Sequence, residues 1–473
     1  MPSGSAGLRR AHRQNRQGAI FIVALGVVVI LASVVLVLVQ SMRTESTASA
    51  NRLSMAQAEA VEEAAEMWVL GQVESYTTDA ITITQTPAEA IQVGNGYFWL
   101  LSPDPTQDQT LNYGIVDEAS KMNLNANWGG NTGNFPIQDQ LALLPNMTQA
   151  IADNIVSWAG VVQDPDGANT DYYQSLSEPY TLKAAPFESV EELLLVEGMT
   201  PQILFGQDVN RNGVIDQSEQ QNNGGITITL GNGTDTRGLL NYVTCWSTDL
   251  NTTNTGTRRA TVDVSRSGTS LTALQTALAN AISSSRATAI VNQVSLALPA
   301  GNLGAATWGL GGFYTESGMT PQEFGKAFDS LTVGGPPGAP KPHTGLINVN
   351  TASAQVLASL PGIQQGQADT IVASRTTADT SNIGWFFQAL GTTTEIAQVA
   401  PYVTDRSFVY SADIVAVSGD GRAFKREKIV VNVTSIPAKI VYRKDLTSLG
   451  WPLTADIRQD LRSGKGLPIQ TGL

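Results

Sequence analysis

The stretch Gly18–Val39, GAIFIVALGVVVILASVVLVLV, carries no charge over 22 residues. As a helix rising 1.5 Å per residue it would span roughly 33 Å, the thickness of a bilayer core. Arg9, Arg10, Arg13 and Arg16 precede it. Arginines ahead of such a span stay in the cytoplasm, which places the C-terminal bulk on the far side. A cleaved secretory signal is a weaker reading, because the apolar run is long and ends without a small-x-small site. A plain signal anchor stays open. From Val27 to Leu70 the chain has neither Gly nor Pro. The apolar helix can therefore continue as an amphipathic one, with Leu53, Ala60, Val61, Ala64, Met67 and Trp68 near one face.

The remainder must fold outside the bilayer. Its length of 473 residues allows two or three domains, and the net charge of −13 disfavours phosphate backbones as partners. Cys245 is the only cysteine, which excludes an intrachain disulfide and a cysteine metal cluster. His12 and His343 are the only histidines, so a histidine-rich metal site is excluded too. No nucleophile–His–acid set, Walker loop or strand-borne GxGxxG is present, and the chain is not expected to be an enzyme. The adjacent Glu191 and Glu192 read as solvated helix surface.

Tyr97–Ser102 and Tyr113–Asp117 read as strands. Helical, hairpin-rich sequence runs from about Gln138 to Thr404. Within it LPNMTQAIADNIVSWAG loosely echoes LPGIQQGQADTIVASR, which points to two related helical units. Phe408–Val417 and Phe424–Val433 then read as a β-hairpin closed by SGDGR. Thr252–Gly256 and Val333–Gly345 read as linkers, and Thr272–Arg286 as one short amphipathic helix.

The stretch INVNTASAQVLASLPGIQQGQADTIVASR, from Ile347, has the pattern of a helix-hairpin-helix. DNA-binding hairpins ring their turn with Lys and Arg. Here Arg375 is the only base between Gly345 and Thr404, against Asp369, Asp379 and Glu395. The hairpin is expected to be a packing module that buries Val356, Leu357, Leu360, Ile363, Ile371 and Val372, with no nucleic acid as partner.

DVNRNGVIDQSE, Asp208–Glu219, fits the twelve-residue EF-hand calcium loop. Asp208, Asn210 and Asn212 would offer side-chain oxygens, and Gly213 the sharp turn. Val214 would offer its carbonyl, Asp216 would bind directly or through water, and Glu219 would close the site. The following QQNNGG is a poor exiting helix, so a single structural calcium clamp is expected rather than a paired sensor. A polar Asx-turn loop without an ion is the alternative.

A basic leader ending in glycine, followed by one long helix half in lipid and half on a domain, resembles the type IV pilin-like proteins. The resemblance implies cleavage by a prepilin peptidase after Gly18, with Ala19 as the new N-terminus. Most members then carry Glu at the fifth mature position, where this chain has Val23. The minor pseudopilin K family of the type II secretion system typically lacks that glutamate, and further stretches resemble the same family in order. These are YGIVDEASKMNLN (Tyr113–Asn125), FESVEELLLVEGMT (Phe187–Thr200), INVNTASAQVLASLPGI (Ile347–Ile363) and KIVYRKDLTSLGW. Residues 250–340 have no counterpart in the resemblance and look like an insertion.

The resemblance implies an α+β fold: a pilin-like long N-terminal helix on a small antiparallel sheet, with a large, mainly α-helical inserted domain of helix-hairpin-helix or SAM-like units. The expected parts are a prepilin leader (1–18), a transmembrane and spine helix (19–70) and the first part of the sheet domain (71–122). An inserted α-domain (123–404) follows, containing an atypical insertion (250–345) and the hairpin unit (346–404). C-terminal strands and a tail (405–473) complete it. The implied function is that of a structural subunit at the pseudopilus tip, supporting protein export across the outer membrane. Its partners would be the minor pseudopilins of I and J type and the secretion machinery. Its place would be the inner (cytoplasmic) membrane, single-pass, with the bulk in the periplasm. Relatives carry an acidic loop near QDPDGANTD, which implies a second, weaker metal candidate at Asp164, Asp166 and Asp171. This chain has Ser157 where relatives often have Asp, and a solvated turn is the alternative. A membrane-anchored calcium-dependent adhesin or envelope binding protein, and a DNA-uptake receptor using the hairpin, are the rival readings.

Overall fold

The structure, a computed structural model, describes residues 8–76, 79–103, 110–126, 136–160, 168–215, 219, 238–264, 269–297, 309–333, 342–465 and 467, with side chains from Ile20 and, after 167, from Asp171. One helix, Leu8–Tyr76, runs unbroken through the apolar stretch and beyond it. It is the one described helix long and apolar enough to cross a membrane. Every side chain from Ile20 to Ala48 is exposed within the chain, so this half has no intramolecular packing to stabilise it. The lower half packs on a six-stranded antiparallel sheet.

The sheet order is Ile91–Val93, Gly96–Leu101, Val409–Val417, Phe424–Asn432, Lys439–Asp445, and Val116–Asp117 also pairs with the start of Val409–Val417. The expected hairpin is present in register from Val409↔Asn432 to Val417↔Phe424. Alternation sorts its faces. Phe98, Leu100, Ile414 and Ile429 meet Val61, Ala65, Val69 and Val73 of the spine helix. Tyr97, Trp99, Val415 and Val417 turn the other way, onto Leu453 and onto Leu461 of the C-terminal helix Ala455–Arg462. The buried helix face is therefore Ala58, Val61, Ala65, Val69 and Val73. Half of the expected stripe is on this face: Val61 is buried and Trp68 packs beside it, whereas Leu53, Ala60 and Met67 are exposed. Sheet contact selects small side chains here, because they let the helix backbone approach the strands.

Polar fastenings line the same seam. Glu62 accepts from Lys425 Nζ at 3.0 Å, and Glu66 accepts from Arg443. Arg443 also reaches Glu427 at 3.3 Å. Three carboxylates thus share two cations. Burial, then hydrogen bonds to Glu62 and Glu66 and their charge, push the Glu427 carboxyl up to about 8.

Between Val116–Asp117 and Val409–Val417 the chain leaves the sheet and builds a mainly helical domain, returning on the strand that its departure point pairs with. Two units inside it repeat one another closely. Met122–Asn123 pairs in parallel with Val243–Thr244, and Ile347–Asn348 pairs in parallel with Val403–Thr404. The sequences YVTCWS (242–247) and YVTDRS (402–407) close the two units. Asn123 donates to Ser247 Oγ at 2.9 Å and Asn348 to Ser407 Oγ at 3.1 Å. Asn125 donates to Cys245 O at 3.3 Å and Asn350 to Asp405 O at 3.2 Å. Their hairpin turns match too, with positive φ at Asn146 (63°) and Gly362 (83°). In the second hairpin Val356, Leu357, Leu360, Ile363 and Ile371 are buried and Val372 is partly so, as expected of a packing module.

Several local readings change. Thr272–Arg286 is not one helix; Thr269–Ala281 ends and Ser284–Ala297 begins, since the run ISSS offers caps rather than propensity. Thr252–Gly256 is not a loose linker but a hydrogen-bonded turn bridged at Thr252↔Arg258. In Val333–Gly345 the pair His343–Thr344 is a strand against Thr248–Asp249, while 334–341 lie outside the described residues. Of Tyr113–Asp117 only Val116–Asp117 is a strand, with Tyr113 bridging Leu101. Glu191 and Glu192 are not solvated surface. Glu191 accepts from Lys444 Nζ at 2.6 Å; Glu192 accepts from Trp158 Nε1 at 2.8 Å.

Candidate metal centre

In the first unit the helix Pro201–Phe205 ends at Gly206, and Leu239–Asn241 resumes the pattern that the second unit completes without interruption. Gly206 and Gly238 both have positive φ. A Cβ on Gly238 would lie 2.4 Å from the Gly206 amide nitrogen, so the two ends of the intervening excursion touch. The candidate loop Asp208–Glu219 begins just inside that pinched base.

Its turn is built from its own side chains. Asp208 Oδ1 accepts from Asn212 N at 3.0 Å, and Oδ2 from Gly213 N at 2.7 Å. Asn210 Oδ1 accepts from Asn212 N at 2.9 Å, and Asn212 Oδ1 from Val214 N at 2.8 Å. Gly213 has φ +85°, and a Cβ there would sit 2.8 Å from Pro103, so both conformation and space require glycine. Val214 and Ile215 are buried behind it. Glu219 returns across the loop, its Oε1 accepting from Val209 N at 2.8 Å and Asn210 N at 3.1 Å. Asp208, Asn212 and Glu219 are 4%, 4% and 7% exposed, so two carboxylates are buried on one small loop. Burial and the Glu219 charge push the Asp208 carboxyl up to about 7, against the Gly213 and Asn212 amides that pull it down. This donor set, hard oxygens with a net negative charge withheld from water, matches what calcium requires. Asp208, Asn210, Asn212 and Glu219 would hold the ion; Asp216, also predicted, lies outside the described residues.

The loop's seat was not legible in its motif. Arg426, fully buried on Phe424–Asn432, donates to Asn210 O at 2.5 Å and Arg211 O at 2.6 Å. The same guanidinium is held by Asp413 at 2.6 and 2.9 Å. Asn212 Nδ2 donates to Pro452 O at 2.9 Å. The loop is therefore bolted to the sheet by residues some two hundred positions away, for which no local signal exists.

The other sequence candidates do not converge on this site. Asp164 and Asp166 lie outside the described residues. Asp171 is exposed in the first turn of the helix Ala168–Ser175, not in a loop. Gly18 and Ala19 lie along the helix Leu8–Tyr76, where the peptide between them continues helical. Arg375, the hairpin's one base, donates to Ala352 O at 2.5 Å.

The segment Tyr113–Asn125 works as a clasp. Asp117 accepts from Asn348 Nδ2 and Thr351 Oγ1 of the second unit. Glu118 accepts from Ser411 on the sheet and from Thr244 of the first unit. Burial opposes its charge, yet Lys121 and Lys428 together with those hydroxyls hold the Glu118 carboxyl down at about 2.

Two family models match the chain, both described as type II secretion system protein K, one over residues 121–205 and the other over 347–403. These spans fall in the first and second unit respectively. No curated protein matches the sequence. A solved structure of the GspK-GspI-GspJ complex from the enterotoxigenic Escherichia coli type 2 secretion system is similar at 12% identity and a TM-score of 0.35, over 85% of this chain and 99% of that one. That likeness is too distant to bear on the site.

Proposed function

We propose a filament-capping role for this chain, which belongs to the type II secretion system protein K family and is a minor pseudopilin of that system. The family is a structural component of the secretion machine. In the proposed role a prepilin peptidase cleaves between Gly18 and Ala19, and the exposed half of the spine helix packs among other pseudopilin helices, burying the apolar surface that the chain alone leaves uncovered. The arginine-rich leader marks the cytoplasmic side, so the sheet and helical domain stand in the periplasm. Other minor pseudopilins, of I and J type, are the partners proposed.

The observation that carries the tip position is the excursion between Asp117 and Val409. It mounts a domain larger than the sheet on a single spine, and such bulk would obstruct a subunit stacking above it. Val23 agrees, since it offers no carboxylate for a neighbour's terminal amine. The loop Asp208–Glu219 is proposed to bind calcium as a structural clamp joining the helical domain to the sheet through Arg426. The test is immunogold labelling of an epitope in the helical domain on assembled pseudopili. Label at one end of each filament is expected; label along the length would overturn the tip assignment.

A further inference from the structure

A partly open cavity of about 330 Å³ lies where the sheet, the short helix Ala80–Gln85 and both repeated units meet. Its size falls in the range of small-molecule sites. Arg375 from the second unit and Lys428 from the strand Phe424–Asn432 both line it.

The acidic groups around it are already engaged. Asp413 is bound to Arg426 at 2.6 Å. Asp117 accepts from Asn348, Thr351 and the Ala119 amide, and burial pushes its carboxyl up. Glu118 and Glu191 feel the Lys428 charge but are bonded to Lys121 and Lys444. Among the described residues no carboxylate lies within ion-pair distance of Lys428 or Arg375. Arg375 Nε is buried without a partner, and the guanidinium's hydrogen bond is the one to Ala352 O. Burial alone pulls it down to about 10. A cation buried without a counter-charge is costly, and an anion beside Arg375 offsets that cost.

We propose that this cavity binds a small organic acid, its carboxylate paired with Arg375 and its negative charge complemented by Lys428 on the same lining. The rest of the lining favours an organic acid over inorganic phosphate. Ile81, Leu101 and Leu240 face the same space as Thr351 and Ser411, so one part of the ligand meets apolar carbon. A phosphate, hydrated on all sides, would leave that wall unmatched. The cavity adjoins the metal loop, whose Asp208 and Arg211 complete part of its wall.

The test is calorimetric titration of the full chain in detergent at constant calcium, with succinate, its neutral analogue succinamide, and inorganic phosphate. Succinate should bind saturably and succinamide should not. Lys428→Met, which removes no hydrogen bond, and Arg375→Gln should each weaken succinate at least tenfold. If Arg375→Gln fails to fold, Lys428→Met alone decides. Absence of saturable succinate binding, equal binding of succinamide, unchanged affinity in Lys428→Met, or a preference for phosphate would each overturn the assignment.

Discussion

Asn348 Nδ2 donates to Asp117 Oδ2 at 3.0 Å, joining residues 231 positions apart. The bond ties the last residue of a sheet strand to the opening strand of the second helical unit. Asp117 also takes Thr351 Oγ1 at 2.5 Å and the Ala119 amide at 2.8 Å; Asp117, Asn348 and Ala119 are buried and Thr351 is half-buried. Asp117→Ala strands these donors, at about 1–3 kcal/mol for each one left buried and unpaired. A loss of about 3 kcal/mol or more is expected in urea unfolding. A loss under about 1 kcal/mol would show that the clasp does not hold the domains.

Calcium should stabilise the chain measurably. With an affinity of about 10⁻⁴–10⁻³ M, usual for extracellular modules, about 10 mM calcium adds roughly 1.4–2.7 kcal/mol. Thermal melts with calcium and with chelator should differ accordingly, and Glu219→Gln should erase the difference. Equal melting temperatures in the parent chain would remove the calcium proposal.

The joint between spine helix and sheet should weaken in alkali. Glu427 carries a folded-state value near 8 against an ordinary carboxylate value of 4.5. The folded state therefore binds the extra proton, so the associated stability is complete below about 4.5 and is lost as pH rises through about 8. The facing charges are Glu62 and Glu66 on the helix and Lys425 and Arg443 on the strands. Melting temperature should fall between pH 6 and pH 9, and Glu427→Gln should flatten that slope. A variant retaining the full slope would locate the titration elsewhere.

Processing offers the most direct check of the proposed pathway. Co-expression with a prepilin peptidase should yield a chain beginning at Ala19 by mass spectrometry, and Gly18→Lys should keep its leader. A cut beyond residue 39 would point to a secretory signal instead.

How much of this was readable in advance varied with the range of the forces involved. The spine helix and the hairpin ending at Val417 and Phe424 are set by local patterns, and both are legible in the sequence. The spine's buried face was only partly found, through Val61 and Trp68, because its contact with the sheet also selects Ala58 and Ala65, whose small size adds little to any hydrophobic stripe. The edge strand Lys439–Asp445 was visible only as a resemblance; half exposed, with Lys439, Arg443 and Lys444, it lacks a buried run. The duplication was half seen, in the LPNM and LPGI turns. Its firmer signature, YVTCWS against YVTDRS, was available but is too short to stand out without the paired strands. The loop Asp208–Glu219 was legible because its chemistry is local, whereas Arg426 and Pro452, which seat it, are linked to it only through the tertiary fold.

The contact between Gly206 and Gly238 has an evolutionary corollary. Because the chain comes back to the point it left, anything housed between those glycines can lengthen, shrink or be exchanged without altering the path of the duplicated scaffold. The second unit, which runs directly from Val399 to Ala400 at the matching place, is what the first looks like with nothing plugged in. That junction works as a socket, and it is where chains of this architecture would be expected to differ most in length and least in topology.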